Sequence, residues 1–207
     1  MKKVIIILSI LLFTINSCTQ GTTNVSDEGV VINGVKWATR NVGEKGKFVS
    51  SPKKNGNLYT WDEAQTVCPS GWRLPTFQEL EAIADRYDKG EYLQNENVAS
   101  ERTNGKKGQK FTDIVSGNSM LLPIASYRGL SLRLHSIGAY GSYWCSTEKS
   151  STDAYFLHFS LGAGFVGVGY HNKTEEKSVR CVCEYENIKY NPYDETVKIE
   201  HLKIKSQ

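Results

Sequence analysis

The chain has 207 residues, with 25 Lys and Arg against 22 Asp and Glu and a formal charge of +3. That balance gives no electrostatic case for a nucleic-acid partner, which needs a basic face to displace the counterions around phosphate. Hydrophobic residues make up 39% of the chain, enough for one domain to bury a real core.

Lys2 and Lys3 precede an apolar run from Val4 to Ile15, and Asn16, Ser17 and Cys18 follow. A charged start and an apolar stretch of this length read as a signal peptide over residues 1–17, too short for a lasting membrane-spanning helix. Ile15, three residues before the cysteine, and the small Ser17 resemble the lipobox of bacterial lipoproteins. Cys18 is therefore expected to become the acylated first residue. Acyl chains at about 0.8 kcal/mol per buried CH₂ would anchor the protein to a membrane. Loss of Lys2 and Lys3 with the leader takes the charge from +3 to +1. Cys68, Cys145, Cys181 and Cys183 then remain, an even number in an exported chain, which predicts two disulfides whose pairing is open. With no Cys-x-x-Cys pair and scattered histidines, zinc is the weaker reading; neither a metal nor a cofactor is expected.

Residues 18–29 are small and polar and read as a flexible tether. Asn33-Gly34 between apolar residues predicts a β-hairpin, since both tolerate positive φ, so the domain is expected to run from Val30. Thr60 with Glu63, and Thr76 with Glu79, form two capping boxes that predict two helices. One would bury Trp61, Ala64 and Val67 or Cys68, the other Phe77, Leu80, Ile83, Ala84 and Tyr87. Between them Pro69, Gly71 and Pro75 make a hard corner. Residues 88–118, rich in Gly, Lys and Asn, read as a long loop with a short strand or turn near Phe111. From Met120 on the period changes to two, predicting an antiparallel meander of four strands over 140–147, 154–161, 164–171 and 178–184. Helices early and strands late make the expected class α+β. Residues 185–207 are a charged C-terminal tail.

Gly162 to Gly167 spell a dinucleotide fingerprint, but no helix follows to receive a pyrophosphate, so the match carries no cofactor. Lys106, Lys107 and Lys110 lack the P-loop spacing. No catalytic triad can be assembled from local sequence, and His158 alternates with surface-type residues.

The stretches "INGVKWATRNVG", "YTWDEAQTVCPSGWRLPTFQEL", "LLPIASYRG", "GAYGSYWCST", "DAYFLHFS" and "KSVRCV" resemble, in order and spacing, the Fibrobacter succinogenes major paralogous domain of exported Bacteroidetes lipoproteins. The resemblance covers about residues 30–184. It implies a C-type-lectin-like fold with two helices packed on antiparallel strands and a long loop region. It also implies a disulfide from Cys68 to Cys181. Cys145 stands where the family usually has serine, and Cys183 is also extra, so these two are proposed to pair, with a swap of 181 and 183 left open. The calcium-binding triplets of sugar-binding lectin domains are absent, so no calcium is expected.

Residues 127–182 further resemble the variable region of diversity-generating retroelement targets. By position this implies ligand contacts at Ser131, Arg133, His135, Tyr140, Ser142, His158, Ser160, Tyr170, His171 and Asn172. The expected protein is a non-enzymatic binding or adhesion module, a lipid-anchored outer-membrane or cell-surface protein whose leaflet is left open, with a protein or glycan ligand. The alternative is a structural envelope lipoprotein that assembles through its tail.

Overall fold

Asn33 and Gly34 take positive φ, 47° and 76°, and turn the chain between β1 (Val30–Ile32) and β2 (Val35–Trp37). The hairpin read from these two residues is therefore present, with Val31 opposite Lys36 and Ile32 opposite Val35. The computed structural model describes residues 27–88, 91–103, 108–129, 134–135, 139–160 and 166–183. The leader, Cys18, most of the tether and the tail 185–207 lie outside the described residues. Order begins ahead of Val30. Asp27 is buried, and its carboxylate accepts from the backbone N–H of Gly29 and Thr39 and from Arg40 Nε at 3.1 Å.

Both capping boxes form, but each opens only a short helix: α1 (Trp61–Ala64) and α2 (Phe77–Glu81). The predicted stripes are still buried at Ala64 and Leu80 inside the helices and at Val67, Ile83 and Ala84 beyond their ends. In the corner between them, β3 (Trp72–Arg73) sends Arg73 back to Glu79 through two 2.7 Å bonds. The same carboxylate accepts from the Thr76 N–H, so Glu79 caps α2 and ties down the corner.

The expected long loop is instead mostly strand. After β4 (Arg86–Asp88) and β5 (Glu91–Leu93), which pair with each other, come β6 (Val98–Arg102), β7 (Gly108–Asp113) and β8 (Ser119–Pro123) in one antiparallel sheet. Alternate residues Val98, Phe111, Met120 and Leu122 are buried. On the inward side of β7, Phe111 is flanked by the buried polar Gln109 and Asp113, while Leu121 of β8 is only half-buried, and that masked the period-two pattern. Next, β9 (Tyr127–Arg128) pairs with β10 (Leu134–His135). The three-stranded meander follows as β11 (Tyr140–Glu148), β12 (Asp153–Ser160) and β13 (Val166–Asn172). The fourth expected strand, β14 (Val182–Cys183), leaves the meander and inserts between β2 and β3.

These elements correct the fold class. Among the described residues strand accounts for 46% and helix for 7%, so the protein is mainly β rather than α+β. Two single-turn helices cannot form the helical layer of a C-type-lectin-like domain, and that expectation falls with the class.

The β11–β12–β13 sheet is packed on both sides. Tyr143, Cys145, Leu157, Phe159 and Val166 enter one core with Ile32, Trp37, Leu80 and Phe111. Trp144, Ala154 and Phe156 enter a second core with Trp61, Val67, Trp72 and Cys181. Strand alternation delivers neighbouring residues to opposite cores. Phe159 lies opposite Gly141, and a Cβ there would sit 2.1 Å from the Phe159 ring. Gly141→Ala is expected to lose about 1–3 kcal/mol by overpacking, read as a lower urea midpoint with unchanged slope.

The Cys68–Cys181 disulfide is present, with Cα atoms 6.0 Å apart. The proposed Cys145–Cys183 bridge is not. Cys145 is a free, buried thiol, and it faces the first core while Cys183 faces the second.

Candidate functional site

Strand register decides which of the expected contacts come together. Opposed pairs place Tyr140 beside Ser160, Ser142 beside His158, and His171 beside Ala154, all on the face that carries Trp144 and Phe156. Tyr140, His158, Ser160 and His171 therefore share one face. Ser142 shares it too but is buried, and its carbonyl accepts the Ser178 N–H, so it is a packing residue and not a surface contact. Tyr170 and Asn172 project to the other side, opposite Tyr155 and Asp153. Tyr170 is exposed there and stands edge-on to Tyr155, with Lys149 Nζ 5.5 Å from its ring. The His135 backbone pairs with Tyr127, while Ser131 and Arg133 lie outside the described residues.

Tyr127 brings β9 against this face, its ring 6.1 Å from that of His171. Behind them lies a buried ionic cluster. Lys177 has no exposed side-chain surface, and its ammonium donates to Glu175 Oε2 at 2.6 Å. His171 Nδ1 meets the same oxygen at 2.8 Å. The Lys177 ammonium also lies 4.5 Å from the Trp144 and Phe156 rings and 4.9 Å from Tyr127. An ammonium stripped of water survives only where a carboxylate and π faces replace its hydration.

The segment that carries Lys177 has a second side. Tyr59 and Lys177 exchange backbone hydrogen bonds, as do Arg128 and Glu176. Arg128 and Glu176 also form a 2.7 Å ion pair, and both line a cleft of about 620 Å³ with Asn55, Asn57, Tyr59, Glu63 and Ser126. One ladder thus presents an aromatic and histidine face on one side and a polar cleft on the other.

Residues 21–183 match the family model of the Fibrobacter succinogenes major domain. The chain belongs to that family. Membership suggests a cell-envelope protein of Bacteroidetes type. No curated protein and no solved structure matches the chain. Among the described residues of this Fibrobacter major domain, no helix is long and apolar enough to cross a membrane.

Several groups at this face of the Fibrobacter major domain are shifted. Burial, then His171 and Lys177, hold His158 below its ordinary value. Burial also lowers Lys177, against the pull of Glu175. For Glu175, burial pushes upward, but the hydrogen bonds and charges of Lys177 and His171 win and leave it below the carboxylate range. Burial and the nearby Glu175 raise Tyr127. Burial pushes the Cys145 thiol up to about 11, which keeps it protonated and a poor nucleophile.

These shifts predict acid sensitivity in two stages. His158 charges more readily in the unfolded chain, so folding stability falls as pH drops through its ordinary value of about 6.5. Glu175 contributes stability above its ordinary value that is lost as pH falls through its lower folded one. Urea melts at pH 8, 5 and 3 should show both stages, and His158→Asn should flatten the first alone. A pH profile unchanged by that substitution would remove His158 from the account.

Sequence reading missed Tyr127, Glu175 and Lys177. The signal was present: Val179, Cys181 and Cys183 alternate on one strand face, and the same period carried back two residues places Lys177 on that apolar side. A cation on an apolar face, followed back to Glu175, marks a buried pair.

Proposed function

We propose that this protein is an outer-membrane lipoprotein, anchored through Cys18 and displayed at the cell surface. Its domain binds a protein or glycan, without catalysis or a metal ion, through Tyr140, His158, Ser160, His171 and Tyr127. The observation that supports this reading is the sheet face itself. An exposed tyrosine, a half-exposed histidine and a serine share one face of β11–β13, next to the part of that face that Trp144, Ala154 and Phe156 bury in the second core. Aromatic and polar side chains on rigid strands offer stacking and hydrogen bonds with little ordering cost on binding.

The test is a screen of the full-length protein in detergent against glycans and cell-surface proteins, with and without EDTA. A ligand whose binding survives EDTA and is lost in Tyr140→Ala/His171→Ala is the expected result. EDTA-sensitive binding would overturn the metal-free reading. Binding that survives the double substitution would move the site to another face, of which the Arg128–Glu176 cleft is the first to examine.

A further inference from the structure

A second surface, away from the aromatic and histidine face, has the opposite chemistry. Val31, Ile114 and Val115 are 44%, 57% and 67% exposed. Ile114 and Val115 stand in the turn between β7 and β8, and that turn is held firmly. Asp113 Oδ1 accepts from the N–H groups of Val115 and Ser116 at 3.0 and 2.8 Å. Asp113 Oδ2 accepts from the Asn33 N–H at 2.7 Å. Asn118 Nδ2 donates to the Val31 carbonyl at 3.2 Å. The turn is therefore fixed to the β1–β2 hairpin and holds two adjacent aliphatic side chains in water.

The N-terminal segment arrives at the same hairpin. Val31 and Lys36 are opposed partners, so they project from one face. Gly29 packs over that face, where a Cβ would meet Lys36 Cε at 2.9 Å. Asp27, two residues earlier, is buried and fixed. From Cys18 to Asp27 a fully extended chain spans at most about 30 Å. Acyl chains on Cys18 would keep this hairpin within one tether length of the bilayer. A short apolar tip with a cation beside it suits the interfacial zone, where aliphatic groups enter the acyl boundary and an ammonium meets lipid phosphate.

We propose that Val31, Lys36 and the Ile114–Val115 turn form a membrane-resting face, which docks the domain on the phospholipid surface that holds its anchor. The proposal depends on the lipid-anchor reading above and adds a fixed orientation to it.

The test uses the full-length protein in a Gram-negative host grown on radiolabelled palmitate, with the photo-crosslinker p-benzoylphenylalanine at position 115 or, as a control, at exposed position 62. Palmitate labelling that is lost in Cys18→Ser reports the anchor. After irradiation, a phospholipid adduct at 115 that is absent at 62 is the expected result. Labelled protein with no lipid adduct at 115 overturns the membrane-resting face and leaves the anchor standing. An adduct to another protein at 115 replaces the bilayer with a protein partner and also overturns it. Absence of both label and adduct removes the anchor and the docked face together.

Discussion

Removal of the Cys68–Cys181 disulfide, as Cys68→Ser with Cys181→Ala, is expected to lower folding stability by about 2–5 kcal/mol. The size follows from where the bridge sits. It joins residues 113 apart in sequence, and constraint of so long a loop removes many conformations from the unfolded chain. It also links the segment after α1 to the residue before β14, inside the second core with Trp61, Val67 and Trp72. Alanine at position 181 avoids a buried hydroxyl, because that residue is fully buried. Urea melts without reductant should show a lower midpoint for the double variant. Reductant should shift the native protein in the same direction and the variant much less. An unchanged midpoint would mean that packing alone holds these segments together.

The second large effect is expected at Arg180, whose replacement by Met should lose about 3–5 kcal/mol. Its guanidinium is buried and donates to Asn41 Oδ1 at 2.9 Å, to the Ala38 carbonyl at 2.8 Å and to the Leu121 carbonyl at 3.0 Å. These partners belong to the stretch after β2 and to β8, so one side chain joins two sheets. Burial brings its pKa down to about 10, with Tyr143 and Asp27 opposing the drop, and it stays charged at neutral pH. Met fills much of the volume but leaves three acceptors without a donor. Lys keeps the charge yet cannot reproduce the fork, so Arg180→Lys should fall between Met and the native protein. Equal stability of all three in urea melts would show that water replaces the guanidinium at no cost.

Signals carried by a few adjacent residues were legible in the sequence. Asn33-Gly34 specified its turn, both Thr–Glu pairs specified helix starts, and alternation across 140–172 specified three strands. What those signals do not encode is how far an element continues. The stripe after Thr76 fits a helix, but the chain at Arg86 pairs with β5, because a tertiary partner outweighs a weak helical preference. Residues 98–123 hid a sheet, since polar Gln109 and Asp113 occupy inward positions on either side of Phe111 and break the alternation that would have announced it. The Cys68–Cys181 bridge came from family resemblance, and the choice of Cys181 over Cys183 needed the packed chain. At the site, strand order gave Tyr140, His158, Ser160 and His171 a common face. The meeting of Tyr127 with Lys177 depends on the approach of β9, which no local pattern announces.

The long covalent loop also bears on how the domain would respond to mechanical load. On the function proposed above, a ligand seated on β11–β13 would pull on residues that lie inside the loop closed by Cys68 and Cys181, close in sequence to Cys181, while the anchor would pull from the N-terminal side. Tension reaches the bridge through the shorter arm, and the rest of the loop is shielded. The shielded loop corresponds to several hundred ångströms of contour at about 3.5 Å per residue. The first segment to pay out would be the one between Asp27 and Cys68, which makes the N-terminal hairpin a natural force-yielding element and the crosslinked body a stiff one.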